Sequence, residues 1–178
     1  MTEVTVIGAG LAGCEAAWAL AERDIKVKLF EMKPKKFSPA HHYDGLAELV
    51  CSNSLKAFRL NSAGGMLKAE MRILGSLVLE AADSSAVPAG GALAVNRKSF
   101  SDYITNKINS HKNITVISEE ITEFPEKNTI IATGPLTSDL MAKAIQERCG
   151  NPLSFYDAAA PNVSADSLDM TKALYDTR

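Results

Sequence analysis

A glycine-rich turn near the amino terminus has the residue types and spacing needed to bind a dinucleotide. The segment from Gly8 to Gly13 reads GAGLAG, a GxGxxG pattern that follows an apolar run and opens an alanine-rich segment. In such a turn the glycines permit a tight bend, a close approach of the backbone to a pyrophosphate, and close packing of the helix on the strand. The positive end of the helix then attracts the phosphates. The predicted phosphate-binding residues are Gly8, Ala9, Gly10, Leu11, Ala12 and Gly13.

Glu31 lies eighteen residues after Gly13, at the end of the next apolar run. A carboxylate at this place accepts hydrogen bonds from a ribose diol and repels a 2′-phosphate, so the sequence favours FAD or NAD over NADP. A second apolar run, Thr129–Gly134, ends in Ala-Thr-Gly and makes Thr133 and Gly134 further candidates for cofactor contact. Because buried strands that end in a glycine turn are common, this second signal depends on the first.

Cys51 is the candidate nucleophile, in the sequence Cys-Ser-Asn-Ser. A thiolate there could attack an electrophilic carbon, and Ser52, Asn53 and Lys56 could stabilise it. A free cysteine is more often a small, buried, inert residue. From the residues alone we favour that inert role for Cys51, and more firmly for the two other cysteines, Cys14 and Cys149.

Two further groups of polar residues could bind ligands. His41 and His42 precede Asp44, but adjacent residues rarely bind one ion and no matching Cys or His spacing occurs elsewhere, so the sequence predicts no metal and favours a hydrogen-bonding role in a loop. Arg97 is a candidate contact to a phosphate, because it follows a glycine turn and a short strand. The remaining cations of these regions are typical of a solvated face: Lys33, Lys35, Lys36, Lys98 and Lys107.

Alternating strands and helices must position these residues. Apolar periodicity predicts strands over Glu3–Ile7, Ile25–Glu31, Ala92–Val95, Ile114–Ile117, Ile121–Phe124 and Thr129–Thr133. It predicts helices over Leu11–Glu22, Leu46–Val50, Met66–Ala82, Arg97–Ser110 and Leu136–Arg148. The third of these helices carries an apolar stripe that we expect in the core, made of Leu67, Met71, Leu74, Val78 and Ala81. This alternation predicts an α/β fold with a doubly wound, mainly parallel sheet.

The composition is that of an ordinary globular domain. The chain has 178 residues, 46% of them hydrophobic, with a net charge of -2, which excludes intrinsic disorder and allows one core that needs no disulfide. No apolar run approaches the roughly 20 residues of a membrane span, and three scattered cysteines fit a reducing compartment, so we expect a cytoplasmic protein. A pI near 5.9 means that any RNA partner must be bound by local patches.

Six blocks of the sequence resemble the folate- and FAD-dependent tRNA (uracil-5-)-methyltransferase family, TrmFO. The blocks are VIGAGLAGCEAAWAL, LFEMKP, PAHHYDGLAELVCSNSLKA, GSLVLEAADSSAVPAGGALAVNR, IIATGPLTSDLMAKAI and FYDAAAP. They occur in the order and spacing of that family from residue 2 to about residue 170. The resemblance is therefore much more specific than the glycine pattern alone.

The resemblance implies an enzyme that makes 5-methyluridine in the T loop of tRNA. It implies methylenetetrahydrofolate as the carbon donor, FAD as the cofactor and NAD(P)H as the reductant, with no DNA or membrane partner. By this resemblance Gly8–Gly13 and Glu31 would hold FAD, Arg97, Thr133 and Gly134 would be weaker contacts, and Cys51 would act near the flavin. The thiol of Cys51 would either attack uracil or protect a flavin-bound methylene group.

The resemblance also implies a domain division and leaves alternatives open. Residues 1–150 would form an FAD-binding domain of the Rossmann type, and residues 151–178 would begin a segment that continues into a C-terminal part not present in this chain. One alternative function is an rRNA uridine methyltransferase of the same chemistry, and another is a non-catalytic module that binds FAD or NAD. The sequence does not indicate an oligomeric state.

Overall fold

The computed structural model describes residues 3–125 and 128–150. The strands are β1 (Glu3–Ile7), β2 (Lys26–Glu31), β3 (Ser54–Ala57), β4 (Ala86–Val87), β5 (Ala92–Val95), β6 (Ile114–Ser118) and β7 (Thr129–Ile131). The helices are α1 (Leu11–Ala21), α2 (Ala63–Ile73), α3 (Leu77–Ser84), α4 (Arg97–Ser110) and α5 (Asp139–Cys149). The segment predicted over residues 151–178 lies outside the described residues.

A four-stranded parallel sheet carries the fold, and the predicted α/β class is confirmed. Its strand order is β6-β2-β1-β7, and every neighbouring pair is parallel. Counted along the chain within this sheet, the order is third, second, first and fourth, which is how the Rossmann fold begins. The direction of winding reverses between β1 and β7, so the carboxyl ends of these two strands flank the switch point at which such sheets bind ligands.

The core lies between this sheet and helices α1, α3 and α4, which contact one another. Alternate residues of β2 are buried, as expected for a strand with one face in the core. Val6 and Leu29 from the sheet are fully buried, as are Leu77 from α3 and Phe100 and Ile104 from α4. This packing fixes the amino end of α1 against β1 and thereby fixes the glycine turn between them.

A second, smaller sheet holds the segment that follows Cys51. It has the order β3-β5-β4 with antiparallel pairs, so β5 lies outside the parallel sheet. The amide of Val95 donates to the carbonyl oxygen of Asn53 at 2.9 Å, which ties the start of β3 to the end of β5. Alternation of strands and helices along the chain could not distinguish the two sheets.

Two short elements predicted from apolar runs are wrong. Leu46–Val50 is a turn followed by residues without regular secondary structure, and Ile121–Phe124 is not a strand. The first segment is apolar because it packs in the core: Leu46 donates to Thr105 Oγ1 at 2.8 Å, and its carbonyl accepts from Ser101 Oγ. Five residues form no stable helix unaided, and here tertiary hydrogen bonds satisfy the backbone instead.

The single helix predicted over Met66–Ala82 is also wrong, because the chain breaks at Gly75. Gly75 has φ +79°, a left-handed conformation that ends α2, and Ser76 caps α3 by accepting from the amide of Leu79. The break rotates the predicted stripe out of register, so that Leu67 and Leu74 are 56% and 76% exposed. Ala81 of that stripe is buried as expected.

Of the remaining elements, β1, β5 and α4 have the predicted bounds and the others differ by one to three residues at their ends, while β3 and β4 were not predicted. Within residues 3–125 and 128–150, no helix is both long enough and apolar enough to span a bilayer.

We expect opposite effects on stability from two glycine-to-alanine changes around α2. Gly75→Ala should lower the free energy of unfolding by about 1–2 kcal/mol, because alanine is strained in the left-handed region. Gly64→Ala, inside α2, should raise it by up to about 1 kcal/mol, since a β-carbon there meets its nearest neighbours at an ordinary 3.7 Å. Urea unfolding followed by circular dichroism measures both, and equal changes for the two variants would contradict the proposed break.

Candidate functional site

A cavity of about 350 Å³ opens at the carboxyl ends of β1, β2 and β7. It is of the size expected for a small-molecule site and lies at the switch point of the sheet. Its lining comes from the β1–α1 turn, the end of β2, the loop that follows β2, the end of β6 and the segment from β7 to α5. These residues are Ile7–Ala12, Phe30–Lys33, His41, Glu48, Val50, Glu119–Ile121, Ala132–Ser138 and Met141.

The glycine turn is packed so closely that side chains are excluded from two of its positions. Gly8 has φ +94°, and a β-carbon there would lie 2.7 Å from the carbonyl oxygen of Ala132. A β-carbon on Gly13 would lie 1.7 Å from the carbonyl oxygen of Gly8. The turn, helix α1 and the end of β7 therefore meet backbone to backbone, as the GxGxxG spacing predicts.

The amino end of α1 is open toward the cavity. Gly10 is its N-cap and provides no side-chain hydrogen bond, and the first turn contains no acidic residue. A β-carbon on Gly10 would have nothing within 4 Å, so space is available beside the turn. The unpaired amides of the first helical turn and the positive end of the helix can therefore bind an anion such as a pyrophosphate.

Glu31 is held at the end of β2 by two backbone amides. Its Oε2 accepts from the amide of Ala9 at 2.8 Å, and its Oε1 accepts from the amide of Lys33 at 3.0 Å. The side chain is only 8% exposed and lines the cavity. Each carboxylate oxygen has a second acceptor position, so a ribose diol could donate to this group without displacing either amide.

Lys33 fixes the loop that forms one wall of the cavity. Its side chain is buried, and its ammonium donates to the carbonyl oxygens of Tyr43 at 2.8 Å and Gly45 at 2.6 Å and lies 3.3 Å from Glu48 Oε2. A buried ammonium with three partners ties residues 41–48 to the end of β2. The amide of Ala47 also donates to the carbonyl oxygen of Ala9 at 2.8 Å, which ties the same loop to the glycine turn.

Glu48 brings a second carboxylate to this wall. Partial burial acts to raise its pKa, but hydrogen bonds from the amides of His42 and Tyr43 and the nearby ammonium of Lys33 outweigh it and lower the pKa below the ordinary value. The group is therefore ionised at neutral pH. Together with Glu31 it gives this end of the cavity acceptors for hydroxyl groups and an unfavourable field for a further phosphate.

His41 lines the cavity as a hydrogen-bonded loop residue. Its Nδ1 lies 2.6 Å from the hydroxyl of Ser38. Burial, followed by the positive charge of Lys33, lowers the pKa of His41, so the ring is neutral at pH 7. In the part of the chain that the structure describes, no group of three His, Cys, Asp or Glu residues is placed to bind a metal ion.

A further part of the lining joins the end of β6 to the start of α5. Glu120 of this part pairs with Lys36 of the loop that follows β2, at 2.6 Å. Hydrogen bonds from Lys36 and then from Ser138 lower the pKa of this carboxyl group. Thr133 and Thr137 bond through their hydroxyls at 2.6 Å, which fixes the turn that follows β7. This part of the lining is thus built from polar contacts between three separate connections.

Cys51 directly follows Val50, which lines the cavity. Its own side chain is exposed and does not belong to the lining. Cys14 is buried, and that burial, with the charge of Glu31 second, raises the pKa of its thiol far above the ordinary value, so it is inert. Cys149 is exposed in the last turn of α5.

The structure brings most of the predicted site residues together. Gly8–Ala12, Glu31, Thr133 and Gly134 line one cavity, with Gly13 packed directly behind the turn. Arg97 does not line it: it is exposed at the first position of α4, and its contact with a cofactor stays a prediction. The role of Cys51 also stays a prediction.

Sequence reasoning did not predict four charged residues that line the cavity. Lys33, Glu48, Glu119 and Glu120 all line the cavity, yet they are spread over the chain in loops that follow different strands. For Lys33 the one available signal was its position two residues after Glu31, the acidic residue that ends β2. Nothing in its spacing indicates that residues 41–48 fold back onto it.

Sequence comparisons with known proteins give matches over nearly the whole chain. The family described as glucose inhibited division protein A matches residues 3–178. A relative from Bacillus subtilis, named methylenetetrahydrofolate–tRNA-(uracil-5-)-methyltransferase TrmFO, is 58% identical over 176 residues, which cover 98% of this chain and 40% of the relative. A protein of the same name from Acetivibrio thermocellus is 58% identical over 172 residues, which cover 96% of this chain and 39% of the relative.

Solved structures show the same fold at lower identity. Aquifex aeolicus GidA matches with a TM-score of 0.59 and 19% identity in one crystal form, over 75% of this chain and 25% of that chain. A second crystal form gives a TM-score of 0.56 and 21% identity, over 71% of this chain and 21% of that chain.

The relatives confirm the resemblance to TrmFO that the sequence blocks indicate, although the chain spans only about 40% of the length of these relatives. Since the family match extends over residues 3–178, the chain belongs to the glucose inhibited division protein A family.

Proposed function

We propose that this chain forms the FAD-binding part of an enzyme that methylates C5 of a uridine in the T loop of tRNA. In this proposal methylenetetrahydrofolate donates the carbon and NAD(P)H is the reductant. The observation that carries it is the coincidence of a cavity at the glycine turn and Glu31, whose lining ends one residue before Cys51, with 58% identity over 98% of the chain to proteins named for this reaction. A cytoplasmic location is part of the same proposal.

The residues of the cavity fit FAD. The open amino end of α1 can bind the pyrophosphate, and Glu31 can accept from the diol of the adenosine ribose. Glu48, joined to the end of β2 through Lys33, adds negative charge, which disfavours the extra phosphate of NADP at this site. The apolar side chains of Leu11, Val50 and Met141 provide surface for the non-polar parts of the ligand.

Within this proposal the flavin, when bound, supplies the redox chemistry and carries the one-carbon unit. The chain itself binds and orients the dinucleotide and holds the loop of residues 41–50 against it. Because Cys51 follows that loop directly and is exposed, a base extruded from an RNA loop can reach its thiol.

Two chemical roles for Cys51 fit this placement. In the first, its thiolate adds to C6 of uracil: the S–C6 bond forms, the C5–C6 π bond breaks, and the electron pair makes C5 nucleophilic. In the second, the thiol protects the methylene group on the cofactor. RNA with 5-fluorouridine at the target distinguishes them, because only addition at C6 gives a covalent complex that cannot lose a proton from C5.

Two alternatives remain as outcomes of the tests. An rRNA uridine methyltransferase would use the same cavity and differ only in the RNA that it accepts. A non-catalytic module would bind FAD or NAD but would not require Cys51. The relatives' names favour tRNA as the substrate.

We expect the purified chain to bind FAD, and Glu31→Gln to weaken that binding about 10- to 100-fold. The substitution replaces one acceptor oxygen with an amide donor and removes charge-assisted hydrogen bonds, worth roughly 1.5–3 kcal/mol each. Flavin fluorescence titration measures the dissociation constant. Glu3→Gln is the matched control, because that carboxylate is exposed and pairs with Lys28 at the opposite end of the sheet. Equal affinity of the Glu31 variant and the wild type would refute the ribose assignment.

We expect Lys33→Met to destabilise the chain by about 3–5 kcal/mol, because it leaves Glu48 without its buried partner and two carbonyl groups without a donor. Adding Glu48→Gln to this variant should recover part of the loss, since the uncompensated charge is removed. Lys35→Met, an exposed lysine of the same loop, should be neutral. Urea unfolding measures all three, and an effect of Lys33→Met no larger than that of Lys35→Met would contradict the wall described above.

We expect Cys51→Ser to abolish methylation in a chimera that carries residues 1–178 in place of the matching part of the Bacillus subtilis relative. Incorporation of labelled carbon from methylenetetrahydrofolate into tRNA measures the activity. Cys149→Ser is the control, since that cysteine is exposed on α5 and outside the lining of the cavity. Full activity of the Cys51 variant would show that the thiol has no chemical role.

A further inference from the structure

We propose that Lys56, Phe58 and Arg59 form a surface that contacts RNA beside Cys51, and we call these three residues the 56–59 patch. The inference rests on the proposed function, because Cys51 marks where the target base would be. It goes beyond it by naming where the flanking nucleotides lie.

The patch combines positive charge with an aromatic ring. Lys56 and Arg59 are exposed and line a groove together with Ser54, Gly91 and Ala92. Neither cation forms an ion pair with any residue in the ranges 3–125 and 128–150. Between them in sequence, Phe58 is 45% exposed. Cations that neutralise phosphates, next to a ring on which a base can stack, are typical of surfaces that bind single-stranded nucleic acid.

The backbone that carries the patch is fixed. The amide of Phe58 donates to the carbonyl oxygen of Gly91 at 3.2 Å, and the carbonyl of Arg59 accepts from the amide of Ser62 at 3.0 Å. The guanidinium of Arg59 lies over Gly91, where an added β-carbon would be 3.5 Å from Nε. A preformed surface loses less entropy on binding than a mobile one.

A backbone irregularity turns Lys56 out of the ladder of β3. The pairing of β3 with β5 shifts between Ser54 and Ala57, and Lys56 has φ +66°, a conformation that lysine rarely adopts. Bulges of this kind re-aim a side chain and are frequent next to active sites. A surface strand without a binding role would not need this strained conformation of Lys56.

The patch lies within reach of the candidate nucleophile. Lys56 follows Cys51 by five positions, so their α-carbons are at most about 18 Å apart. RNA that presents a base at the rim of the cavity can therefore place neighbouring phosphates on Lys56 and Arg59. The loop of a T arm supplies the unpaired bases that can stack on Phe58.

The test measures binding of a fluorescein-labelled T-arm hairpin to the full 178-residue chain by fluorescence anisotropy over a range of salt concentrations. Lys56→Asn combined with Arg59→Gln should weaken binding at least about tenfold and reduce the slope of log K against log salt by about 0.7 for each lost contact. Asparagine tolerates the left-handed conformation, so this variant should keep its fold. Lys112→Asn, which removes an exposed cation at the amino edge of the sheet, should bind as the wild type does.

Two further variants separate binding from folding. Phe58→Ala should weaken binding about 5- to 100-fold with an unchanged salt slope, while Phe58→Tyr should retain it. Lys56→Gly should raise the melting temperature by relieving the strained backbone, yet weaken RNA binding. A Lys56→Gly variant that is more stable and binds RNA as tightly as the wild type would overturn the role of Lys56.

The outcomes that overturn the patch differ from those that overturn the proposed function. No binding of the hairpin to the wild-type chain, or equal binding by the double variant, refutes the patch and leaves FAD binding and the role of Cys51 untouched. If the double variant instead loses affinity only for polyglutamylated tetrahydrofolate, the groove binds the acidic tail of the folate, and the RNA surface is refuted.

Discussion

The carboxylate of Glu31 is the point on which the site depends. It accepts one hydrogen bond from the amide of Ala9, in the turn after β1, and one from the amide of Lys33, two residues further along the chain. These two bonds join the ends of β1 and β2 at the edge of the sheet where the cavity lies. The same amide-held carboxylate is the group that would bind a ribose. Because one side chain would serve both structure and binding, the shape of the cavity and its proposed preference for a diol are set together.

Lys33 extends this arrangement to the residues that follow in the chain. Its amide binds Glu31 and its ammonium binds the loop at Tyr43 and Gly45, so one residue connects the ribose end of the cavity to the wall. The amide of Ala47, in the same loop, donates to the carbonyl oxygen of Ala9 and so connects the wall to the glycine turn. Cys51 follows this wall in sequence, so the path of the chain that leads to it is held by a lysine eighteen residues earlier.

Local signals were enough to predict the parallel sheet and most of a set of residues that line one cavity, while their contact with a cofactor stays a prediction. The glycine turn, Glu31 and the Ala-Thr-Gly end of β7 are set by steric and hydrogen-bonding rules that act over a few residues. The wall could not be predicted, because it depends on hydrogen bonds from Lys33 to residues ten to fifteen positions later in the chain. The loop that brings them together has no periodic sequence pattern. The break at Gly75 was not predicted, because the helical spacing of apolar residues continues through the glycine and so resembles one helix. A glycine followed by a serine is nevertheless a typical sequence for the end of one helix and the start of another.

The distribution of charge bears on how a chain with a net charge of -2 could bind the two polyanions of the proposed function. Four glutamates line the cavity, and the site proposed for the pyrophosphate is made from uncharged amides at the amino end of α1. Lys56 in β3 and Arg59, two residues after that strand, line a separate groove, and neither forms an ion pair within residues 3–125 and 128–150. A nucleotide cofactor and an RNA strand are both polyanions, so a chain proposed to bind both needs its positive field divided. In the proposal the amides of α1 attract the cofactor and the two cations attract the RNA, so the two ligands do not compete for one positive field.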